Sequence, residues 1–108
     1  MKHYLIVGSR DLTEYVNGAN VPLMVNGLRE KGHGVTLFLV ENGVVAARQR
    51  SKAGKVLNGL IENGAEIFAE DVSCRARGIE HLEGAIRLSN LDSLADLIAE
   101  GFDNIVWY

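Results

Sequence analysis

Cysteine is all but missing from this 108-residue chain: Cys74 stands alone, so no disulfide can form within it. Nothing is stapled, and a reducing compartment fits. The same lack weakens a dithiol oxidoreductase, or a peroxidase that resolves its own sulfenic acid. No apolar run approaches the roughly 20 residues that span a bilayer. Leu5-Ile6-Val7 is too short a run for a signal peptide, so the sequence reads as cytoplasmic. Positive charge is also scarce. Eleven Lys and Arg against 14 Asp and Glu leave a net charge of −3, which argues against nucleic-acid binding by broad phosphate neutralisation. His3, His33 and His81 have no metal-ligand spacing with one another or with Cys74, so neither metal nor cofactor is expected.

Familiar motifs are absent as well. Gly8 is the only glycine closing the first apolar run, so the dinucleotide fingerprint is missing. Gly54-Lys55 fails as a phosphate loop, because Gln49 stands where the first glycine belongs and Val56 follows the lysine. There is no G-x-S-x-G elbow for a serine hydrolase. Glu70 and Asp71 are adjacent carboxylates, but neighbours on a strand end point apart, and they read as solvated.

What the chain does have is alternation of short apolar runs with helical patterns. Leu5-Ile6-Val7, ending at Gly8, suits a strand buried on both faces. Ser9 to Ala19 reads as a loop or a weak helical turn. Asn20 then caps a helix with Pro22 in its first turn and Val21, Met24, Val25 and Leu28 as its stripe. Val35 to Val40 is the strongest strand, stopped by Glu41-Asn42-Gly43. Arg48, Arg50, Lys52 and Lys55 make a basic segment, either a solvated helix start or a patch for an anion or partner. Ser51 caps the next helix, with Val56, Leu57, Leu60 and Ile61 as its core face. Ala65 to Ala69 reads as a third strand, part of Ile79 to Gly84 as helical, and Ala85 to Leu88 as a short strand. Asn90 caps a last helix in which Leu91, Leu94, Ala95, Leu97 and Ile98 face the core, before a terminal strand from Asp103.

This order implies βαβ units and a three-layer α/β/α sandwich, its mostly parallel sheet having about five strands. A chain of 108 residues is expected to be a single domain, 1–108. In such a sheet the strand ends share one edge, which gathers Ser9-Arg10, Asn42-Gly43 and Cys74-Arg75. A thiol works as a nucleophile only as thiolate, and nearby guanidinium groups lower its pKa. Cys74, with Arg75 and Arg77 close behind it in a polar loop, is therefore expected to be accessible and acidic. The alternative is an inert, buried cysteine. A lone thiolate that accepts sulfur as a persulfide needs no internal partner.

Three segments carry a family resemblance: Val35 to Val44 with its Asn42-Gly43 turn, Glu70 to Gly78 with Cys74 and Arg77-Gly78, and Leu88 to Ala95. Together they resemble the DsrE/DsrF-like sulfur-relay family, and the resemblance runs over nearly the whole chain. It implies a five-stranded parallel sheet, assembly into trimers or hexamers, and sulfur carried as a persulfide on Cys74. Arg75 and Arg77 would favour the thiolate and bind an anionic donor, and Asn42 and Gly43 would supply nearby turn backbone. Ser9 and Arg10 complete the expected substrate or partner surface. Partners would be sulfur donor and acceptor proteins, with no membrane or nucleic acid. Two other readings stay open: a module of the same fold binding a small ligand or nucleotide, and a structural oligomer subunit docking a partner through the basic segment.

Overall fold

Residues 1–13 and 18–108 are described in a computed structural model of the chain. Residues 14–17, inside the segment read as a loop or weak turn, lie outside the described residues. The elements run β1 (His3–Gly8), α1 (Asn20–Glu30), β2 (Gly34–Leu39), a 3-10 helix (Glu41–Ala47), α2 (Lys52–Glu62), β3 (Glu66–Glu70), α3 (Asp71–Ala76), β4 (Arg87–Ser89), α4 (Leu91–Ala99) and β5 (Asn104–Trp107). The five strands form one parallel sheet in the order β4-β3-β2-β1-β5.

The middle of each central strand is apolar, Leu5-Ile6-Val7 in β1, Leu37-Phe38-Leu39 in β2 and Ile67-Phe68-Ala69 in β3, because both faces of the sheet are covered there. Successive residues point to opposite faces. Ile6, Leu37, Leu39, Ile67 and Ala69 meet Val21 and Val25 of α1, Leu57 and Leu60 of α2, and Cys74 of α3. Leu5, Val7, Phe38 and Val40 meet Leu94 of α4, with Phe68, Leu97 and Phe102 packed alongside. The result is the expected three-layer α/β sandwich, with α4 on its own side of the sheet.

Several local expectations are corrected. Asn20 is the first residue of α1 rather than its cap; Ala19 precedes it, and no side chain caps that helix. Val56 is exposed, so α2 buries Gly54, Leu57 and Leu60 instead. Residues 79–84 are not helical. They run antiparallel beside 47–49, with Gln49 N donating to His81 O at 3.0 Å and Glu83 N to Ala47 O at 2.9 Å. Ser51 and Asn90 do cap their helices, accepting from Gly54 N and Ser93 N, each at 2.8 Å.

α4 covers only part of its face of the sheet. Ser93, Asp96, Leu97 and Glu100 share a groove with Phe68 of β3 and Ser89 of β4. The opposite flank carries Leu91, Ala95 and Ile98, and all three are exposed instead of facing the core. On β5, Val106 packs with the α1 face of the sheet. Ile105 and Trp107 therefore project on the α4 face, where Trp107 is 64% exposed. No helix among the described residues is long and apolar enough to cross a membrane.

Candidate functional site

Cys74 lies in a helix, not in a polar loop. β3 ends at Glu70, whose extended backbone (φ −73°, ψ 131°) turns the chain directly into α3. The Glu70 carboxylate caps that helix, accepting from Val72 N at 2.7 Å and Ser73 N at 3.0 Å, and it also accepts from the Ser73 hydroxyl. Ser73 Oγ in turn accepts from Glu41 N at 2.8 Å. One buried carboxylate thus ties the end of β3, the start of α3 and the 3-10 helix after β2. Glu70 is 4% exposed, so its reading as a solvated acid is corrected. Glutamate is not among the favoured cap residues, which is why the helix start was hidden in the sequence.

Counting from Glu70, Cys74 comes four residues later, on the same helical face. It is 2% exposed and belongs to the main core cluster, so the expectation of an accessible thiol is also corrected. Cys74 nevertheless helps line an open cleft of about 860 Å³. Asp71, Arg75 and Gly78 stand on the same wall, and Gln49, His81, Leu82 and Leu88 lie among the rest. Gln49 and His81 were not anticipated. The 47–49 and 81–83 pairing brings them in, and no local sequence pattern announces it.

The electrostatics run against the expected acidic thiol. Burial pushes the Cys74 pKa up, the Glu70 and Asp71 carboxylates push it further, and only Arg77 works in the other direction. Arg75 does not contribute. Its side chain is largely exposed and reaches back to Asp71 at 3.8 Å. Arg77 is firmly held: Nε and Nη2 donate to Asn42 Oδ1 at 3.1 and 2.9 Å, Nη1 donates to Ser73 O at 3.1 Å, and Glu41 lies 3.7 Å away.

Asn42 and Arg77 are therefore brought together, and Arg75 and Cys74 share the cleft. The other expected site residues are elsewhere along the same edge. Gly43 is a packing residue, since a Cβ there would collide with the Gly8 carbonyl oxygen, and its N–H is spent on Val40 O at 2.8 Å. Ser9 donates from both N and Oγ to Tyr108 O, each at 3.3 Å, on the β5 side of β1. Arg10 follows it and is exposed. Among the described residues no group of His, Cys, Asp and Glu is arranged to hold a metal ion.

No protein-family model matches the chain. An uncharacterized protein of Methanocaldococcus jannaschii, MJ0989, is 35% identical to it over 86 residues, covering 72% of this chain and 75% of that protein. Among solved structures, the ychN protein from E. coli aligns over the whole of both chains with a TM-score of 0.89 at 19% identity. A protein of unknown function from Methanobacterium thermoautotrophicum, MTH1491, aligns over both whole chains with a TM-score of 0.77 at 15% identity. A conserved protein of unknown function from Bacteroides thetaiotaomicron, BT1422, gives 0.80 at 15%, covering 99% of this chain and 95% of that one. At these identities the structural likenesses establish the shared α/β fold.

Proposed function

The chain belongs to the family of the Methanocaldococcus jannaschii protein MJ0989, and we propose that it is a cytoplasmic sulfur carrier of the DsrE/DsrF-like kind, holding sulfane sulfur on Cys74. The observation that carries this reading is the cleft: the chain's one thiol lines it, and the guanidinium that favours its thiolate is locked nearby by Asn42. The sequence resemblance supports the same chemistry.

The step is an exchange without net oxidation. The Cys74 thiolate attacks the outer sulfur of a donor persulfide, an S–S bond forms on Cys74, and the donor's S–S bond breaks. The donor leaves as thiolate with that electron pair and takes up the proton that Cys74 gave up. A raised thiol pKa lowers the thiolate population but makes the thiolate that forms a stronger nucleophile and a poorer leaving group. Cys74 is thus suited to accept sulfur and keep it until an acceptor is seated in the cleft.

Arg75, on the cleft wall, meets an anionic donor. Asn42 acts through Arg77, and Gly43 keeps the 3-10 helix against β1. Ser9 and Arg10 belong to the partner-facing edge. Self-assembly into a trimer or hexamer is part of the same reading, and the exposed apolar flank of α4 with Ile105 and Trp107 supports it. The test is cyanolysis after loading with inorganic polysulfide and desalting. Cyanide removes sulfane sulfur as thiocyanate, so the wild type is expected to release thiocyanate and Cys74→Ser none. Equal release from both proteins would sink the reading.

A further inference from the structure

The segment from Arg48 to Lys55 carries four cations, Arg48, Arg50, Lys52 and Lys55, in a chain of net charge −3. None of the four has an ion pair among the described residues, whereas Arg75, Arg77 and Arg87 each have one. The placement also runs against local preference. Lys52 and Lys55 stand at the N-terminal end of α2, whose first turn holds no acidic residue, so they face the positive end of the helix dipole. Arg50 adopts a left-handed backbone, φ +66°, that residues with a side chain seldom take. Departures from local rules concentrated in one segment are expected where function is being served.

The segment is mounted rigidly despite these costs. Gln49 N donates to His81 O at 3.0 Å, Arg50 N donates to Glu83 Oε1 at 2.8 Å, and Ser51 Oγ caps α2. Glu83 is thereby engaged with a backbone amide instead of a guanidinium. Gln49, between the two arginines, lines the Cys74 cleft, so the cationic segment reaches that cleft through Gln49, and none of the four cations is itself on the cleft wall. The cleft itself offers Ile79, Leu82, Ile86 and Leu88, with Leu88 60% exposed. Its acids are Asp71, paired to Arg75, and Glu80.

We propose that the cationic segment and the cleft together dock an extended acidic polypeptide segment of a partner protein. Its carboxylates lie over Arg48, Arg50 and Lys52, and its apolar side chains enter the cleft against Leu82 and Leu88. The apolar floor and the chain's net negative charge favour such a segment over nucleic acid, which would seek a broad basic face. This deepens the carrier reading, on which it rests, by giving the chemistry of the partner that brings sulfur to Cys74 or takes it away.

The test uses fluorescence anisotropy with a labelled peptide of alternating Glu and Leu. A Lys–Leu peptide and a short single-stranded oligonucleotide serve as controls. The Glu–Leu peptide is expected to bind, to weaken as salt rises, and to slow maleimide alkylation of Cys74. Combined Arg48→Glu, Arg50→Glu and Lys52→Glu substitutions should weaken it about tenfold or more. The corresponding Gln triple variant, less prone to disturb the fold, should weaken it less but in the same direction. Equal binding by the charge-reversed protein, equal binding of the Lys–Leu peptide, tighter binding of the oligonucleotide, or unchanged alkylation with peptide bound would each overturn the proposal. Sulfur loading is measured separately. Loss of peptide binding with loading intact sinks the docking surface alone, and binding intact without loading sinks the carrier reading.

Discussion

Arg77 donates to the Asn42 side-chain oxygen from both Nε, at 3.1 Å, and Nη2, at 2.9 Å. This fork joins the end of α3 to the 3-10 helix after β2 and fixes the one cation that lowers the Cys74 pKa. Arg77→Ala should therefore move the pH midpoint of Cys74 alkylation upward. Asn42→Ala should move it less, because the charge remains but is no longer held in place. Arg77→Lys keeps a charge without the planar fork and should resemble the Asn42 variant. Iodoacetamide rates across pH, with circular dichroism as a folding control, check all three.

Glu70→Gln should have two separable effects. Losing the carboxylate cap costs about 1 kcal/mol of stability, measured by urea unfolding. Removing a negative charge one helical turn before Cys74 should lower the alkylation midpoint. A variant that is merely loosened would lose stability without that directional shift.

The raised thiol pKa also fixes a sign for stability. The folded state favours the protonated thiol more than the unfolded chain does, so this contribution is whole below the unfolded pKa, about 8.5. It is lost as pH rises from there through the higher folded value. Wild-type protein should thus lose stability in that alkaline window relative to Cys74→Ser, as read from urea midpoints at neutral and alkaline pH.

The sheet was legible in the sequence because strands such as Val35 to Val40, covered on both faces, are apolar but for Thr36, and the Ser51 and Asn90 caps obey strong local preferences. Cys74 was legible as a position but not as an environment. Its helix starts on an unusual Glu cap, and its cleft is lined in part by Gln49 and His81, which only a distant bridge between Arg48 and Leu82 brings near. The stripe Leu91, Ala95 and Ile98 was periodic but does not face this chain's own core. Periodicity marks an apolar flank without saying what covers it.

Gly43→Ala should destabilise the protein by about 1–3 kcal/mol, since the new methyl group must push the 3-10 helix away from the Gly8 carbonyl. The same shift carries Asn42 away from Arg77, so thiol reactivity should change in step with stability. Thermal unfolding and alkylation on one sample test the coupling.

The exposed Leu91, Ile98, Ile105 and Trp107 predict self-association through the α4 face. Sedimentation velocity at micromolar concentration should show an oligomer, and Trp107→Asp should shift the protein toward monomer without loss of helix content. A wild-type monomer under those conditions would contradict self-assembly through this face.

Intact mass spectrometry after incubation with a sulfane-sulfur donor, with Cys74→Ser alongside, tests the carrier role most directly. The wild-type chain should gain the mass of one sulfur atom, lose it again on reduction with dithiothreitol, and become resistant to loading when Cys74 is alkylated first. Wild-type protein that stays at its native mass under loading conditions, or a Cys74→Ser variant that gains the same mass, would contradict sulfur carriage on Cys74.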